Sequence, residues 1–139
     1  MKVAIDGGKR TVPPVTAWAV VDFDSDRSWS GTLDPNFTSN QAEYYALINA
    51  MKIAIAEGET KILLVQSDSE LMVRHVNGEY KCRDSKLIPL LEEVKRLATY
   101  FEDFLLYHVL RDRNERADTA VNAMMDGYIR MATIRDGVQ

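Results

Sequence analysis

Four acidic residues stand at positions from which a folded chain can present a carboxylate instead of burying it. Asp6 follows the apolar run KVAI and Asp68 follows ILLVQS, so both lie at the ends of predicted strands. Glu43 and Asp118 fall in the first turns of predicted helices. Two like charges about 4 Å apart repel by on the order of 4 kcal/mol at an effective dielectric of about 20. A pocket that gathered these acids would need divalent cations, which points to magnesium and to phosphate chemistry.

Each acid also has an ordinary structural explanation. Asp6-Gly7 is a common turn pair, and Glu43 stands at capping-box spacing from Asn40. Asp68 could cap a short helix, and Asp118 would interact favourably with the dipole of its own helix. Taken singly, none of the four indicates a functional site.

The composition is that of one soluble domain, which we take as residues 1–139. The chain is 46% apolar and 27% charged, with a formal charge of −4, so contact with nucleic acid would have to be local and salt-sensitive. The single cysteine, Cys82, excludes an intrachain disulfide and fits a reducing compartment. No apolar run approaches the roughly 20 residues of a membrane span. We therefore expect a cytoplasmic protein that does not contact the membrane.

Apolar periodicity predicts nine elements in the order βββαβααβα. The predicted strands are residues 2–6, 16–24, 28–34, 61–66 and 104–110. The predicted helices begin at Asn40, Ser69, Ser85 and Asn114, and they end near Gly58, Val76, Phe101 and Arg130. The first strand is expected to stop at Gly7-Gly8, and Ile134–Gln139 to form a loose tail.

This order of elements brings the four acids together. The first three strands suggest an antiparallel meander, and the crossovers imply that strands one, four and five are parallel and central. Strands one and four would then end on one edge of the sheet, where ligands bind in open α/β sheets. The helices that carry Glu43 and Asp118 begin near the same edge. This joint placement favours a site over four independent caps.

Four segments resemble the motifs of a known family. IDGG resembles the first motif of type 1 ribonuclease H, and TSNQAEYYAL resembles the second. QSDSELMVRHVNGEYK is similar to the third, and HVLRDRNERADTAVNAM to the fourth. The resemblance covers nearly the whole chain in the right order. It implies a ribonuclease H-like α/β fold, a five-stranded mixed sheet with helices on both faces, in the compact branch without a basic protrusion or a hybrid-binding domain.

The resemblance also implies an activity, the cleavage of the RNA strand in RNA/DNA hybrids to leave 5′-phosphate and 3′-hydroxyl ends. The implied catalytic and metal-binding acids are Asp6, Glu43, Asp68 and Asp118. They would hold two Mg²⁺ ions, with Mn²⁺ as a possible substitute, about 4 Å apart. Asp6 would bridge both ions, Asp118 would hold one, and Glu43 and Asp68 the other. Arg111 matches an arginine of the branch that lacks a flexible-loop histidine, and it is a candidate for handling phosphate or product; Arg113 is the alternative, and a surface salt bridge would explain either.

A further set of residues is assigned to nucleic-acid contacts. These residues are Gly7, Gly8, Asn40, Gln41, Lys81 and Arg83. The first-motif loop departs from the family, because KRTVPPVTA stands where many relatives have a glycine-rich loop with Asn-Pro-Gly. A plain helix cap would explain Asn40 equally well, and a solvated charged face would explain Lys81 and Arg83. We expect weak hybrid binding by a monomer that has no obligate protein partner.

Two other functions are compatible with this fold. One is a non-catalytic nucleic-acid-binding module, although clustered acids would weaken its hold on phosphate. The other is a related nuclease that acts on structured DNA or double-stranded RNA, since metal binding by acids does not by itself select the strand that is cut.

Overall fold

The five strands of the chain form one mixed sheet in a computed structural model that describes residues 1–138. The strands are β1 (Lys2–Thr11), β2 (Pro14–Asp22), β3 (Ser28–Leu33), β4 (Ile62–Ser67) and β5 (Asp103–His108). Their order across the sheet is β3-β2-β1-β4-β5. β1 pairs antiparallel with β2, and β2 with β3, whereas β1–β4 and β4–β5 are parallel. The mixed sheet and its parallel strands are thus confirmed, but β5 lies at the edge of the sheet and not in its centre.

The helices cover both faces of the sheet, as expected. They are α1 (Ser39–Ala56), α2 (Glu70–Val76), α3 (Ile88–Ala98) and α4 (Glu115–Val138), with a short 3₁₀ turn at Arg111–Arg113 before α4. Alternate side chains of a strand point to opposite faces. Val3 and Ile5 of β1 accordingly pack in one core with α1 and α3, while Ala4 belongs to a second core beneath α4. Both faces of β1 are therefore buried, which makes it the rigid centre of the fold.

The predicted stop of β1 at Gly7-Gly8 is wrong. The strand continues to Thr11, and Gly7 pairs with Trp18 of β2. Glycine is needed here because α1 approaches β1 closely, and not because the chain turns. A Cβ atom on Gly7 would lie 2.3 Å from the carbonyl carbon of Ala42 in α1. Only a residue without a side chain lets α1 rest on β1 at this point.

The N-terminal cap of α1 is Thr38 and not Asn40. The Gln41 backbone N–H donates to Thr38 Oγ1 at 3.1 Å, and the Thr38 N–H donates to Gln41 Oε1 at 2.8 Å. This reciprocal pair is a capping box. Asn40 is exposed in the first turn, and the Glu43 carboxylate has no capping role.

Asp68 is likewise not a cap. The N-terminal cap of α2 is Ser69, whose Oγ accepts from the Met72 N–H at 3.3 Å. The structural explanations offered for Glu43 and Asp68 in the sequence therefore do not hold, and both side chains are available for other contacts.

Two helix ends differ from the prediction. α3 is shorter than expected, since it begins only at Ile88, with Pro89 in its first turn. α4 continues past Arg130 to Val138, so residues 134–138 are helical where a loose tail was expected. Met131, Ala132 and Arg135 are good helix formers and no proline interrupts them. Gln139 lies outside the described residues. None of the helices within residues 1–138 has the length and apolar character needed to cross a bilayer.

Candidate active site

Three of the four acids meet at one edge of the sheet. Carboxylate oxygens of Asp6, Glu43 and Asp68 all lie within 4.8 Å of one another; we call these three residues the acid cluster. The register explains the meeting of two of them. Ala4 of β1 pairs with Gln66 of the parallel strand β4, and two residues later the chain reaches Asp6 in β1 and Asp68 just after the end of β4. The same edge receives Glu43 because Gly7 lets the first turns of α1 approach β1.

The backbone N–H of Gly7 ties two members of the acid cluster together. It donates to Asp6 Oδ1 at 3.0 Å and also to Glu43 Oε1. A hydrogen bond from a backbone amide stabilises a carboxylate without adding a counter-charge. The position of Gly7 is thus fixed by the acids on one side and by α1 on the other.

Asp118 lies on the wall of the same cleft, next to the acid cluster but outside its tight group. The cleft has a volume of about 400 Å³, and its lining includes Asp6, Glu43, Asp68 and Asp118. Asp118 comes from the first turn of α4, where its backbone N–H donates to the Asn114 carbonyl at 3.0 Å. The structure therefore gathers all four predicted acids around one cavity, three of them closely.

The electrostatics of the acid cluster are strained without a cation. Burial and then the charge of Asp68 raise the pKa of Asp6 from 3.8 to about 7. Burial and then the charge of Asp6 raise the pKa of Glu43 well above its usual value. Burial also raises the pKa of Asp68, although the nearby Arg111 guanidinium opposes this shift. The cluster therefore retains protons near neutral pH, and a divalent cation would replace them.

The donor set fits a hard divalent cation. Every group of the acid cluster offers carboxylate oxygen, the ligand that Mg²⁺ and Mn²⁺ prefer, and no histidine or cysteine belongs to it. The cluster includes two buried acids, Asp6 and Glu43. Burying carboxylates of like charge side by side is costly unless a cation joins them.

Arg111 lies in the cleft and Arg113 does not line it. Arg111 Nη2 is 3.6 Å from Asp118 Oδ1, and its side chain is 80% exposed. An ion pair as exposed as this one contributes little to stability. The guanidinium can therefore leave Asp118 and contact a ligand at little cost. The carbonyl of Arg113 accepts a hydrogen bond from Gln66 Nε2 at 3.0 Å, a structural contact.

The residues assigned to nucleic-acid contacts fall in three places. Gly7 and Gly8 line the cleft, although the N–H of Gly7 is already engaged by the acids. Asn40 is exposed at the start of α1, and Gln41 beside it belongs to the capping box. Lys81 and Arg83 are exposed in the segment between α2 and α3 and do not line the cleft. The structure thus brings only the glycines directly to the acids.

Sequence reasoning missed the buried support for the cleft. Asn114 is 1% exposed, and it donates from Nδ2 to the Ile5 carbonyl at 2.9 Å while it accepts from Gln66 Nε2 at 3.1 Å. Asn114 thus links β1, β4 and the start of α4. The linked residues lie shortly before Asp6, Asp68 and Asp118 in the sequence. The sequence suggested only a helix cap at this position, and a contact between such distant segments leaves no local signal.

Arg10 and Asn122 also line the cleft; the sequence offered Arg10 only as a further basic residue for gripping nucleic acid, and it gave Asn122 no role. Arg10 was expected in a loop because β1 was expected to end earlier. For Asn122 a signal exists in the sequence, since it lies four residues after Asp118 and therefore on the same side of a helix.

Comparison with known proteins gives a consistent result. Residues 5–124 match the family described as "Reverse transcriptase-like". The chain is 35% identical over 124 residues to Ribonuclease HI of Halobacterium salinarum, in an alignment that covers 87% of this chain and 62% of that relative. This chain therefore spans less than two thirds of the length of that curated relative.

Two solved structures are similar over almost their full length. The crystal structure of RNase H1 from Halobacterium salinarum NRC-1 has a TM-score of 0.77 at 30% identity, covering 91% of this chain and 97% of that one. The crystal structure of LC11-RNase H1 in complex with RNA/DNA hybrid has a TM-score of 0.82 at 28% identity, covering 92% and 98%. The family match begins just before Asp6 and ends after Asp118, so it includes all four acids. Sequence, fold and site agree, and the chain belongs to the type 1 ribonuclease H family.

Proposed function

We propose that the protein is an endoribonuclease that hydrolyses the RNA strand of RNA/DNA hybrids with the help of divalent cations. The observation that carries this proposal is the acid cluster, whose oxygens from three separate segments lie within 4.8 Å of one another. The similarity to LC11-RNase H1, a protein solved in complex with RNA/DNA hybrid, supports the choice of substrate.

In this proposal Asp6, Glu43, Asp68 and Asp118 hold two Mg²⁺ ions, for which Mn²⁺ can substitute. When bound, the ions supply a Lewis acid at the scissile phosphate and a water of lowered pKa, and cleavage leaves 5′-phosphate and 3′-hydroxyl ends. The role of the protein is to keep the acids in place before the ions arrive. Gly7 does this through its N–H, which holds Asp6 and Glu43 in a fixed relation.

Basic and polar residues around the cleft would hold the nucleic acid. Arg111, exposed at the cleft wall beside Asp118, would contact the phosphate or the product. Asn40 is exposed at the start of α1, and capping is done by Thr38, so its amide is available to the sugar edge, where 2′-hydroxyls distinguish RNA from DNA. Lys81 and Arg83 would meet the backbone farther from the cut.

The charge of the cleft argues against a module that only binds nucleic acid. A phosphate approaching Asp6, Glu43 and Asp68 without cations would be repelled, and that repulsion would weaken binding. A protein that bound without cutting would lose nothing by replacing these acids with neutral residues.

Digestion of four labelled substrates tests the proposal. RNA/DNA hybrid, double-stranded RNA, single-stranded RNA and DNA are incubated with Mg²⁺, with Mn²⁺ or with a chelator. We expect the RNA strand of the hybrid to be cut only when cations are present, and Asp6→Asn to abolish this cleavage. Asp24→Asn, the same change at an exposed position in the β2–β3 turn, should leave it intact.

Each of the other possible outcomes would contradict one part of the proposal. Cleavage that survives Asp6→Asn would remove Asp6 from the mechanism. Preference for double-stranded RNA or DNA would identify a related nuclease, and metal-independent binding without cleavage would identify a binding module.

We also propose that the protein acts as a monomer, since all four acids come from one chain. Size-exclusion chromatography with light scattering should give a mass close to 15.8 kDa. A dimer that dissociated with loss of cleavage would contradict this.

A further inference from the structure

One side of α4 carries a ladder of polar residues that leads into the cleft. Asp118, Asn122 and Asp126 follow one another at intervals of four residues, so they lie above one another on the same side of the helix. Arg10, near the end of β1, reaches across to this ladder. Its Nη2 donates to Asn122 Oδ1 at 2.9 Å, and its Nη1 donates to Asp126 Oδ1.

The contacts set the direction of the Asn122 amide. A guanidinium can only donate hydrogen bonds, so the atom of Asn122 that faces Arg10 must be the oxygen. The amide nitrogen then faces the other way, and it donates to Asp118 Oδ1 at 3.2 Å and to the Asp118 carbonyl at 2.9 Å. Arg10 is itself bound by Asp126. By taking the oxygen of the Asn122 amide, Arg10 orients the amide so that its N–H group, a donor, faces Asp118.

The two carboxylate oxygens of Asp118 have different surroundings. Among the described residues, both side-chain contacts of Asp118, with Asn122 and with Arg111, fall on Oδ1. No hydrogen bond of the described residues engages Oδ2, so this oxygen is available to a ligand in the cleft that Asp118 lines. Of the four acids, Asp118 is the one outside the tight cluster, and its side chain is 31% exposed, so a neighbour is needed to fix its orientation.

We propose that Asn122, oriented by Arg10, is a positioning residue that fixes the Asp118 carboxylate for cation binding. This inference rests on the proposed function, because it assigns Asp118 to the same metal site. Arg10 acts on the site through Asn122, and Asp126 acts through Arg10.

Removal of the Asn122 amide is the direct test. Asn122→Ala and Asn122→Leu both delete the donor, and leucine keeps a similar size and favours the helix. The matched control is Thr119→Ala, which removes a polar group from an exposed position of α4 that does not line the cleft. Two quantities are measured: the Mg²⁺ concentration that half-saturates the rise in melting temperature without substrate, and the Mg²⁺ concentration for half-maximal cleavage of hybrid.

We expect both Mg²⁺ concentrations to rise by about tenfold or more for the Asn122 variants, as is typical when a residue that orients a metal ligand is lost. Thr119→Ala should leave both unchanged. Arg10→Met should act in the same direction as Asn122→Ala, and it should add nothing further to a protein that already carries Asn122→Ala.

A double mutant separates positioning from a general structural effect. In an Asp118→Asn background, Asn122→Ala should not change the Mg²⁺ concentration needed for thermal stabilisation, because the residue it positions is gone. A further loss in that background would overturn the inference, as would Asn122 variants that match Thr119→Ala. Failure of the wild-type protein to cut hybrid, with the Mg²⁺-induced stabilisation intact, would instead contradict the proposed function alone.

Discussion

At Gly7, the missing side chain and the backbone N–H act together on the same two acids. The space where a Cβ atom would stand is taken by the backbone of Ala42 and Glu43, so α1 lies directly against β1. The N–H then bonds both Asp6 and Glu43. One residue thus sets the distance between two of the acids and also compensates part of the cost of burying them.

Gly7→Ala should lower the free energy of unfolding by more than about 4 kcal/mol, because the new methyl group would meet backbone atoms that cannot move aside. Urea unfolding in chelator measures the effect. Gly127→Ala is the matched control, since a Cβ at Gly127 in α4 would meet nothing within 4 Å. Alanine is the better helix former by up to about 1 kcal/mol, so this control should be neutral or stabilising. Equal stability of the two variants would refute the role given to Gly7.

The raised pKa of Asp6 makes the metal-free protein sensitive to pH. The group titrates at about 7 in the folded state and at 3.8 when unperturbed, so the folded state binds more protons between these values. The stability that this proton contributes is complete below about pH 4 and is lost as the pH rises through 7. In chelator, the melting temperature should therefore fall between pH 5 and pH 8, and added Mg²⁺ should restore it at pH 8.

Asp68→Asn should raise the melting temperature in chelator at pH 8 by roughly 5 °C, because it removes one of the charges that repel Asp6. The same variant should lose most of the stabilisation by Mg²⁺. Differential scanning fluorimetry with and without Mg²⁺ measures both. A clear drop in the metal-free melting temperature would point to a structural role for Asp68.

At the scale of elements, the cleft depends on where α4 starts relative to β1 and β4. Asn114 makes that connection from a fully buried position, through the Ile5 carbonyl on one side and Gln66 on the other. Four residues later, α4 presents Asp118. The hydrogen bonds of Asn114 thus hold the start of the last helix against the two strands that carry Asp6 and Asp68.

Asn114→Ala should cost about 1–3 kcal/mol of stability, because it removes the Asn114 donor from the buried Ile5 carbonyl and one of the two acceptors of the Gln66 amide, which keeps only the Arg113 carbonyl. Asn40→Ala is the control, and its stability should stay within about 0.5 kcal/mol of wild type, since Thr38 and not Asn40 caps α1. Chemical denaturation in chelator compares the two. An Asn40→Ala protein as unstable as Asn114→Ala would contradict both assignments.

Local patterns in the sequence predict the kinds of element and their order, and they place all four acids near one edge of the sheet, where the structure has them around one cleft. They succeed at Asp6 and Asp68 because burial on both faces of a parallel strand leaves a continuous apolar run that ends at the acid. Local patterns fail where contacts between distant segments determine the structure. The Gly7-Gly8 pair has the composition of a turn, and only the approach of Ala42 explains it. Similarly, FLLYHVL has the composition of a central strand, but no further strand pairs with β5 on its outer side within residues 1–138.

At the scale of the whole molecule, the net charge of −4 opposes contact with a polyanion. Four of the 21 acidic residues line the cleft, where cations would neutralise them. Binding of hybrid therefore depends on the few basic side chains that can reach the backbone, and it should be weak and strongly dependent on salt.

Lys81→Ala should raise the KM for hybrid and leave kcat nearly unchanged, because Lys81 is exposed and does not line the cleft. The slope of log KM against log salt should become shallower by about 1, the change expected for one lost phosphate contact. Lys61→Ala removes the same charge just before β4, at the end of the strand opposite Asp68, and should change neither quantity. If the two variants behave alike, Lys81 belongs to an ordinary solvated surface.

The parallel pairing of β1 with β4, completed by α4, has a consequence during protein synthesis. Asp6 leaves the ribosome before its partners, which follow on later segments, and Asp118 is the last of the four to emerge, with α4. A nascent chain cannot assemble the full set of ligands until the start of α4, which carries Asp118, has emerged. No shorter nascent segment can gather all four carboxylates, so binding of cations by the complete set should begin only when the start of α4 has docked against β1 and β4.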